Sequence, residues 1–167
     1  LSDQVTIDSG KTIILDMNGE TLSIGFSDSS KNLIVNNGTL TITGDGTFDA
    51  TEATSYKGFI NNYGTLTVEN GTFQIADKAM TVHLRNQDGG KAVINGGTFS
   101  GGATIVRSFE GSNTTITGGS FTNSVYPAVD VNGETLITGG IFTNTSCSRC
   151  DSQNWGYTVR SGVDNDP

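Results

Sequence analysis

The sequence is poor in charged residues and lacks any long hydrophobic run. Charged residues make up 16% of the 167 residues, and apolar residues make up 34%. No apolar stretch approaches the roughly 20 residues that a membrane-spanning helix needs, so we expect no membrane insertion. Basic residues are scarce, with 9 Lys and Arg against 17 Asp and Glu and a net charge of −8. This balance argues against a nucleic-acid partner, because phosphate binding depends on clustered Lys and Arg.

Proline is almost absent, with 2 residues, whereas glycine is abundant, with 23. Glycine and the β-branched threonines are poor helix formers, which argues against a helical bundle. The glycines follow no strict three-residue period, so the chain is not collagen-like. The apolar residues are too few for a thick globular core, and they favour a thin core that runs along an array of repeats.

Segments that end in Gly-Thr-Phe or a close variant recur along the chain. The spacing between successive phenylalanines is 25, 26, 22 and 21 residues. This variation is typical of a solenoid with a constant core and variable loops. The segments end at Phe48, Phe73, Phe99, Phe121 and Phe142. We therefore predict an all-β fold, a right-handed parallel β-helix (β-solenoid) of about six to seven short rungs with end caps.

Aliphatic residues and paired glycines recur at fixed places within each repeat. The predicted aliphatic column consists of Ile42, Val68, Ile94, Ile116 and Ile137. The glycines, such as Gly118 and Gly119, precede the Thr-Phe strand and are predicted to supply positive φ at a sharp corner. We predict one domain over residues 1–167. Residues 1–30 would form an opening rung or N-terminal cap, residues 31–146 the regular rungs, and residues 147–167 a C-terminal cap.

A second short motif in each repeat contains the candidate ligand-binding residues. We predict that Asn61, His83, Arg107 and Asp130 face outward in one polar column, with Arg85 nearby. A histidine, two arginines and an aspartate on one face would hold an acidic sugar, or would act as general acid and base. The alternative interpretation is a solvated surface without a specific role.

The remaining candidates for metal or covalent chemistry are sparse. Asp45, Asp49 and Glu52 fall near one corner, where solvated turn residues are the favoured interpretation and a weak calcium site is the alternative. We predict no other cofactor and no other metal. Cys147 and Cys150 form a Cys-x-x-Cys motif with too few further ligands for zinc. We predict a short disulfide that staples the C-terminal cap, with free thiols as the alternative.

The motifs together resemble a known group of domains. The segment Asp16-Met-Asn-Gly19 is followed by repeats of the form Gly-Thr-Leu-Thr-Ile-x-Gly-Gly-Thr-Phe, and the chain closes with Gly156-Tyr-Thr-Val159. This pattern resembles the pectate-lyase-like β-helix domains of large surface proteins of Gram-positive bacteria. The resemblance implies an adhesin-type module at the extracellular bacterial surface. We also expect a domain excised from a larger surface protein and monomeric within that chain.

Two functional hypotheses follow for this sequence. The first is a non-enzymatic binding module that contacts a host glycan or an extracellular protein, or that serves as a spacer. The alternative is a carbohydrate-active enzyme, a polysaccharide lyase or hydrolase, built on the same fold. The two differ in whether the polar side chains converge in one groove with perturbed pKa values.

Overall fold

The computed structural model describes residues 1–24, 28–52, 56–76, 81–123, 126–145 and 159–161. Short turns join the β-strands of these residues, and no helix occurs among them. The first three rungs contain β1 (Val5–Ile7), β2 (Thr12–Asp16), β3 (Thr21–Ser23), β4 (Asp28–Asn36), β5 (Thr39–Thr43), β6 (Thr47–Ala50), β7 (Tyr56–Asn62), β8 (Thr65–Val68) and β9 (Thr72–Ile75). The later strands are β10 (Val82–Asn86), β11 (Lys91–Ile94), β12 (Thr98–Ser100), β13 (Thr104–Ser108), β14 (Asn113–Ile116), β15 (Ser120–Asn123), β16 (Val129–Val131), β17 (Glu134–Ile137), β18 (Ile141–Asn144) and β19 (Val159–Ser161).

The strands form three parallel sheets, and each complete rung contributes one strand to each sheet. The first sheet contains β1, β4, β7, β10, β13, β16 and β19, the second contains β2, β5, β8, β11, β14 and β17, and the third contains β3, β6, β9, β12, β15 and β18. All neighbours within a sheet pair in parallel, so like positions of successive repeats lie side by side. The prediction of an all-β parallel β-helix is confirmed. The predicted six to seven rungs agree with sheets of seven, six and six strands.

A ladder of phenylalanine rings fills the interior behind the third sheet. Successive rings stack nearly parallel, with centroid separations of 4.5 to 5.0 Å. This separation matches the spacing of about 4.8 Å between neighbouring strands, so each ring covers the previous one. The ladder consists of Phe48, Phe73, Phe99, Phe121 and Phe142. The predicted aliphatic column from Ile42 to Ile137 is also confirmed, because its members are register partners in the second sheet.

A ladder of buried asparagines runs inside the first sheet, at the corner with the second. The Asn36 side chain donates a hydrogen bond of 2.7 Å to Asn62 Oδ1, and the Asn62 side chain donates one of 2.8 Å to Asn86 Oδ1. Each amide also donates to a backbone carbonyl at the start of the second sheet, such as that of Thr65. These side chains therefore satisfy buried carbonyl groups where the chain turns.

Paired glycines form the corner before the third sheet, as predicted. Gly119 has a φ of +103°, a conformation that residues with a Cβ rarely adopt. A Cβ atom on the preceding Gly118 would collide with the backbone carbonyl of Asn95 in the neighbouring rung. One glycine thus provides the turn, and the other permits close stacking of rungs.

The two ends of the chain continue the same sheets. Strands β1 to β3 fall within the predicted opening rung, and β19, within the predicted C-terminal cap, pairs with β16. Most of that cap lies outside the described residues, so the division into caps and regular rungs stays a prediction. Within the described ranges, no helix has the length and apolarity that a membrane span requires.

Candidate functional site

Parallel register brings most of the predicted site residues into one outer column of the first sheet. Asn61 pairs with Arg85, Arg85 with Arg107, and Arg107 with Asp130. Their side chains share the outer face, because the residues before the column are buried and so are those after it, apart from the half-buried Val131. Asp130 in turn pairs with Arg160 of β19. The first three of these steps place two guanidinium groups and one carboxylate on adjacent rungs, about 4.8 Å apart along the solenoid.

A second column, at the turn that ends each of these strands, completes the face. Tyr63, Gln87 and Phe109 each donate a backbone N–H to the preceding rung, with N···O distances of 2.8 Å. Their side chains contact the first column. We call the combined surface the arginine face, and it consists of Asn61, Tyr63, Arg85, Gln87, Arg107, Phe109 and Asp130.

Phe109 positions both guanidinium groups. The Cζ atoms of Arg85 and Arg107 lie 5.3 and 5.2 Å from the centroid of its ring. A cation within about 6 Å of an aromatic face is attracted by the ring quadrupole. The ring therefore holds two like charges close together and limits the rotamers that the long side chains adopt.

Asp130 neutralises only one of these two charges. Its Oδ2 lies 3.2 Å from Nε of Arg107, and the two side chains are 14% and 41% exposed. The described residues place no carboxylate within ion-pair distance of Arg85. Burial lowers the pKa of Arg85, and the charge of Arg107 lowers it further, while Tyr63 has the opposite effect. Arginine stays protonated even so, and the face keeps a net positive charge on an acidic protein.

Asn61 lies at the other end of the face and is part of a hydrogen-bonded chain. The Gln87 side chain donates to Asn61 Oδ1 over 2.5 Å, and Asn61 Nδ2 donates to the Tyr63 hydroxyl over 3.2 Å. Asn61 is itself buried, whereas Tyr63 is 47% exposed. The buried Asn61 amide, supported by Gln87, thus orients an exposed aromatic ring.

His83 does not belong to this face, and its predicted outward position is wrong. The side chain is 1% exposed. Its ring centroid lies 5.3 Å from that of Phe59 and 6.0 Å from that of Phe99, and Nε2 lies 3.2 Å from the carbonyl oxygen of Gly101. Burial lowers the pKa of His83 to about 4, so the ring is neutral at physiological pH.

The reason for this error is that the strands of the first sheet bury consecutive residues. His83 and Leu84 are consecutive and both buried, and so are Ile105 and Val106 in the next rung. Two inward residues in succession break the period-two alternation that the sequence argument assumed. The true partner of Asn61 is Arg85, two residues further along.

Sequence reasoning missed two members of the face. Gln87 and Phe109 follow the outer column by two residues in their rungs, as Tyr63 does in its own. The signal for both was available, because a β-strand places residues i and i+2 on one face.

The acidic corner forms local turns. The Asp49 carboxylate accepts hydrogen bonds from the backbone N–H and hydroxyl of Thr51, and these lower its pKa. Asp45 accepts a hydrogen bond from the Asn70 side chain. Among the described residues, no three His, Cys, Asp or Glu side chains lie close enough to hold a metal ion. Cys147 and Cys150 lie outside the described residues, so their disulfide stays a prediction.

No protein-family model matches this chain, and neither a curated protein nor a solved structure matches it.

Proposed function

We propose that this chain is a non-enzymatic binding module of a bacterial surface protein, and that it contacts an extracellular glycan or protein through the arginine face. The observation that carries this proposal is the pair of guanidinium groups that Phe109 holds on adjacent rungs. Tyrosine and arginine are enriched among the residues that dominate binding energies, and preorganised side chains lose less entropy on binding.

A domain that serves only as a spacer does not require such a cluster of arginine and aromatic side chains. Elsewhere in the array, the outer positions carry mainly threonine, serine and asparagine, which suit an exposed sheet and cost little. The arginine face instead brings two positive charges together and partly buries both arginine side chains. This arrangement opposes folding and is expected where a partner supplies the missing negative charge or packs against the rings.

The alternative, a carbohydrate-active enzyme, has less support. It depended on His83 together with Arg85, Arg107 and Asp130, and the His83 side chain is in the core. Asp130 is engaged with Arg107 at 3.2 Å, so an acid–base pair would have to come from other residues. The extracellular location remains part of the proposal, on the resemblance to surface proteins.

The test is a glycan and extracellular-protein array probed with purified chain, with and without calcium. We expect a ligand whose binding weakens about thirtyfold or more in Arg107→Ala, since hot-spot truncations cost about 2 kcal/mol or more. The matched control is Lys91→Ala, which removes the same charge from an exposed position of the second sheet. If no array ligand binds, or if both variants lose binding equally, the result would contradict the proposal and favour a spacer. A calcium requirement would support the weak site near Asp49.

A further inference from the structure

We infer that the arginine face takes an acidic saccharide, whose oxyanion group binds between Arg85 and Arg107 and whose ring packs against Tyr63. This inference rests on the proposed binding function and names its ligand class. The chemistry that would be recognised is a single carboxylate or sulfate on a sugar, presented together with an apolar ring face and hydroxyl groups.

The charge of the face favours a bound anion. Arg85 and Arg107 are neighbours in register, and their mutual repulsion opposes the charged form of Arg85. Asp130 offsets one positive charge. An oxyanion between the two guanidinium groups would offset the second, and guanidinium binds carboxylate and sulfate oxygens with paired, charge-assisted hydrogen bonds.

The neighbouring groups favour a sugar as the carrier of that anion. Tyr63 lies two rungs from Phe109, about 10 Å along the solenoid, with Gln87 on the rung between them. Asn61 fixes the tyrosine hydroxyl at 3.2 Å and leaves the ring 47% exposed. An exposed aromatic face packs on the C–H face of a sugar ring, and amide groups match its hydroxyls.

The net charge of the whole chain argues against polyanionic ligands. At a net charge of −8, the protein repels a polyanion such as a nucleic acid over most of its surface. A saccharide with an isolated anionic group avoids that repulsion and uses only the locally positive face. The same argument predicts weaker binding at high salt.

The test is calorimetric titration of the full chain with a panel of uronate- and sialate-bearing oligosaccharides and one sulfated oligosaccharide. Carboxyl-reduced, neutral counterparts and inorganic phosphate complete the panel. We expect an acidic member to bind at least about tenfold more tightly than its neutral counterpart. Arg85→Gln should weaken that binding about tenfold to hundredfold, as for a lost charge-assisted hydrogen bond. Lys91→Gln, with the same change in net charge, should leave it within about threefold.

Two further variants separate the parts of the site. Tyr63→Ala should weaken oligosaccharide binding and leave phosphate binding unchanged, since phosphate has no ring to stack. Arg85→Lys keeps the charge but loses the planar guanidinium, and should lie between wild type and Arg85→Gln. Thermal unfolding of each variant, expected to match the wild type within a few degrees, shows that the fold is intact.

The outcomes separate this inference from the proposed function. An array ligand that requires Arg107 but is neutral, or that binds Arg85→Gln as well as wild type, would overturn the acidic-saccharide inference and leave the binding function standing. Equal weakening of binding by Lys91→Gln would show that the change in net charge alone causes the effect. That result would also overturn the inference. If neither the array nor the acidic panel yields a ligand, both proposals fail.

Discussion

His83 is an ionisable residue enclosed by aromatic rings, and its burial makes the fold sensitive to acid. Its pKa of about 4 in the folded chain lies below the ordinary value of 6.5. The unfolded chain therefore binds more protons between these two pH values, and the stability that the neutral ring contributes is lost as pH falls from 6.5 towards 4. The effect grows at about 1.4 kcal/mol per pH unit within this window.

We expect the free energy of unfolding to be about 2 kcal/mol lower at pH 5 than at pH 7 because of this residue. Urea unfolding at the two pH values measures the difference. His83→Leu keeps an apolar group of similar size among Phe59 and Phe99, and it should remove most of the difference. If wild type and His83→Leu lose equal stability between pH 7 and pH 5, the proton is bound elsewhere and the burial argument is wrong.

At the level of single strands, the sequence pattern predicted the solenoid and its apolar columns. It did not predict the ladder of buried asparagines in the interior. The phenylalanine and aliphatic columns were predictable, because apolar residues recur at fixed places in repeats of varying length. Asn62 and Asn86 occupy inward positions that a hydrophobic pattern would not assign to polar side chains. Their role becomes clear only when stacking shows that each amide satisfies the next amide and a carbonyl across the corner. His83 was misplaced for a related reason, since strict alternation does not predict the burial of consecutive residues in β10.

Asn36 and Asn37 offer a matched test of the ladder, since the two are consecutive, and one is buried and the other exposed. Asn36→Ala removes side-chain donations to Asn62 at 2.7 Å and to the Thr65 carbonyl at 3.0 Å. We expect a loss of about 2 kcal/mol or more in the free energy of unfolding, because buried partners are left unsatisfied. Asn37→Ala should stay within about 0.5 kcal/mol of wild type, as exposed substitutions usually do. Chemical denaturation measures both, and similar values for the two variants would show that the ladder is not a stabilising element.

At the scale of the whole molecule, each rung contacts chiefly its neighbours, so stability should grow with the number of rungs. Removal of residues 91–112 would delete one full repeat, because Lys91 and Asn113 are register partners. Asn113 would then lie beside Thr65, and Phe121 would stack on Phe73. The side-chain columns would therefore be continuous across the deletion. At about 0.05–0.15 kcal/mol per residue, the shortened chain should lose about 1–3 kcal/mol of stability. Its denaturant m-value should fall in proportion to the lost buried surface.

Deletion of residues 91–101 is the control, because it removes strands β11 and β12 but keeps β13 of the same rung. The chain would then lack the second and third sides of that rung, and the rungs on either side could not restore register. Circular dichroism and urea unfolding should show a cooperative β-sheet protein for the full-repeat deletion and an unfolded or aggregated chain for the partial one. Equal tolerance of the two deletions would mean that the columns do not determine register, whereas failure of both would mean that the array folds only at its full length.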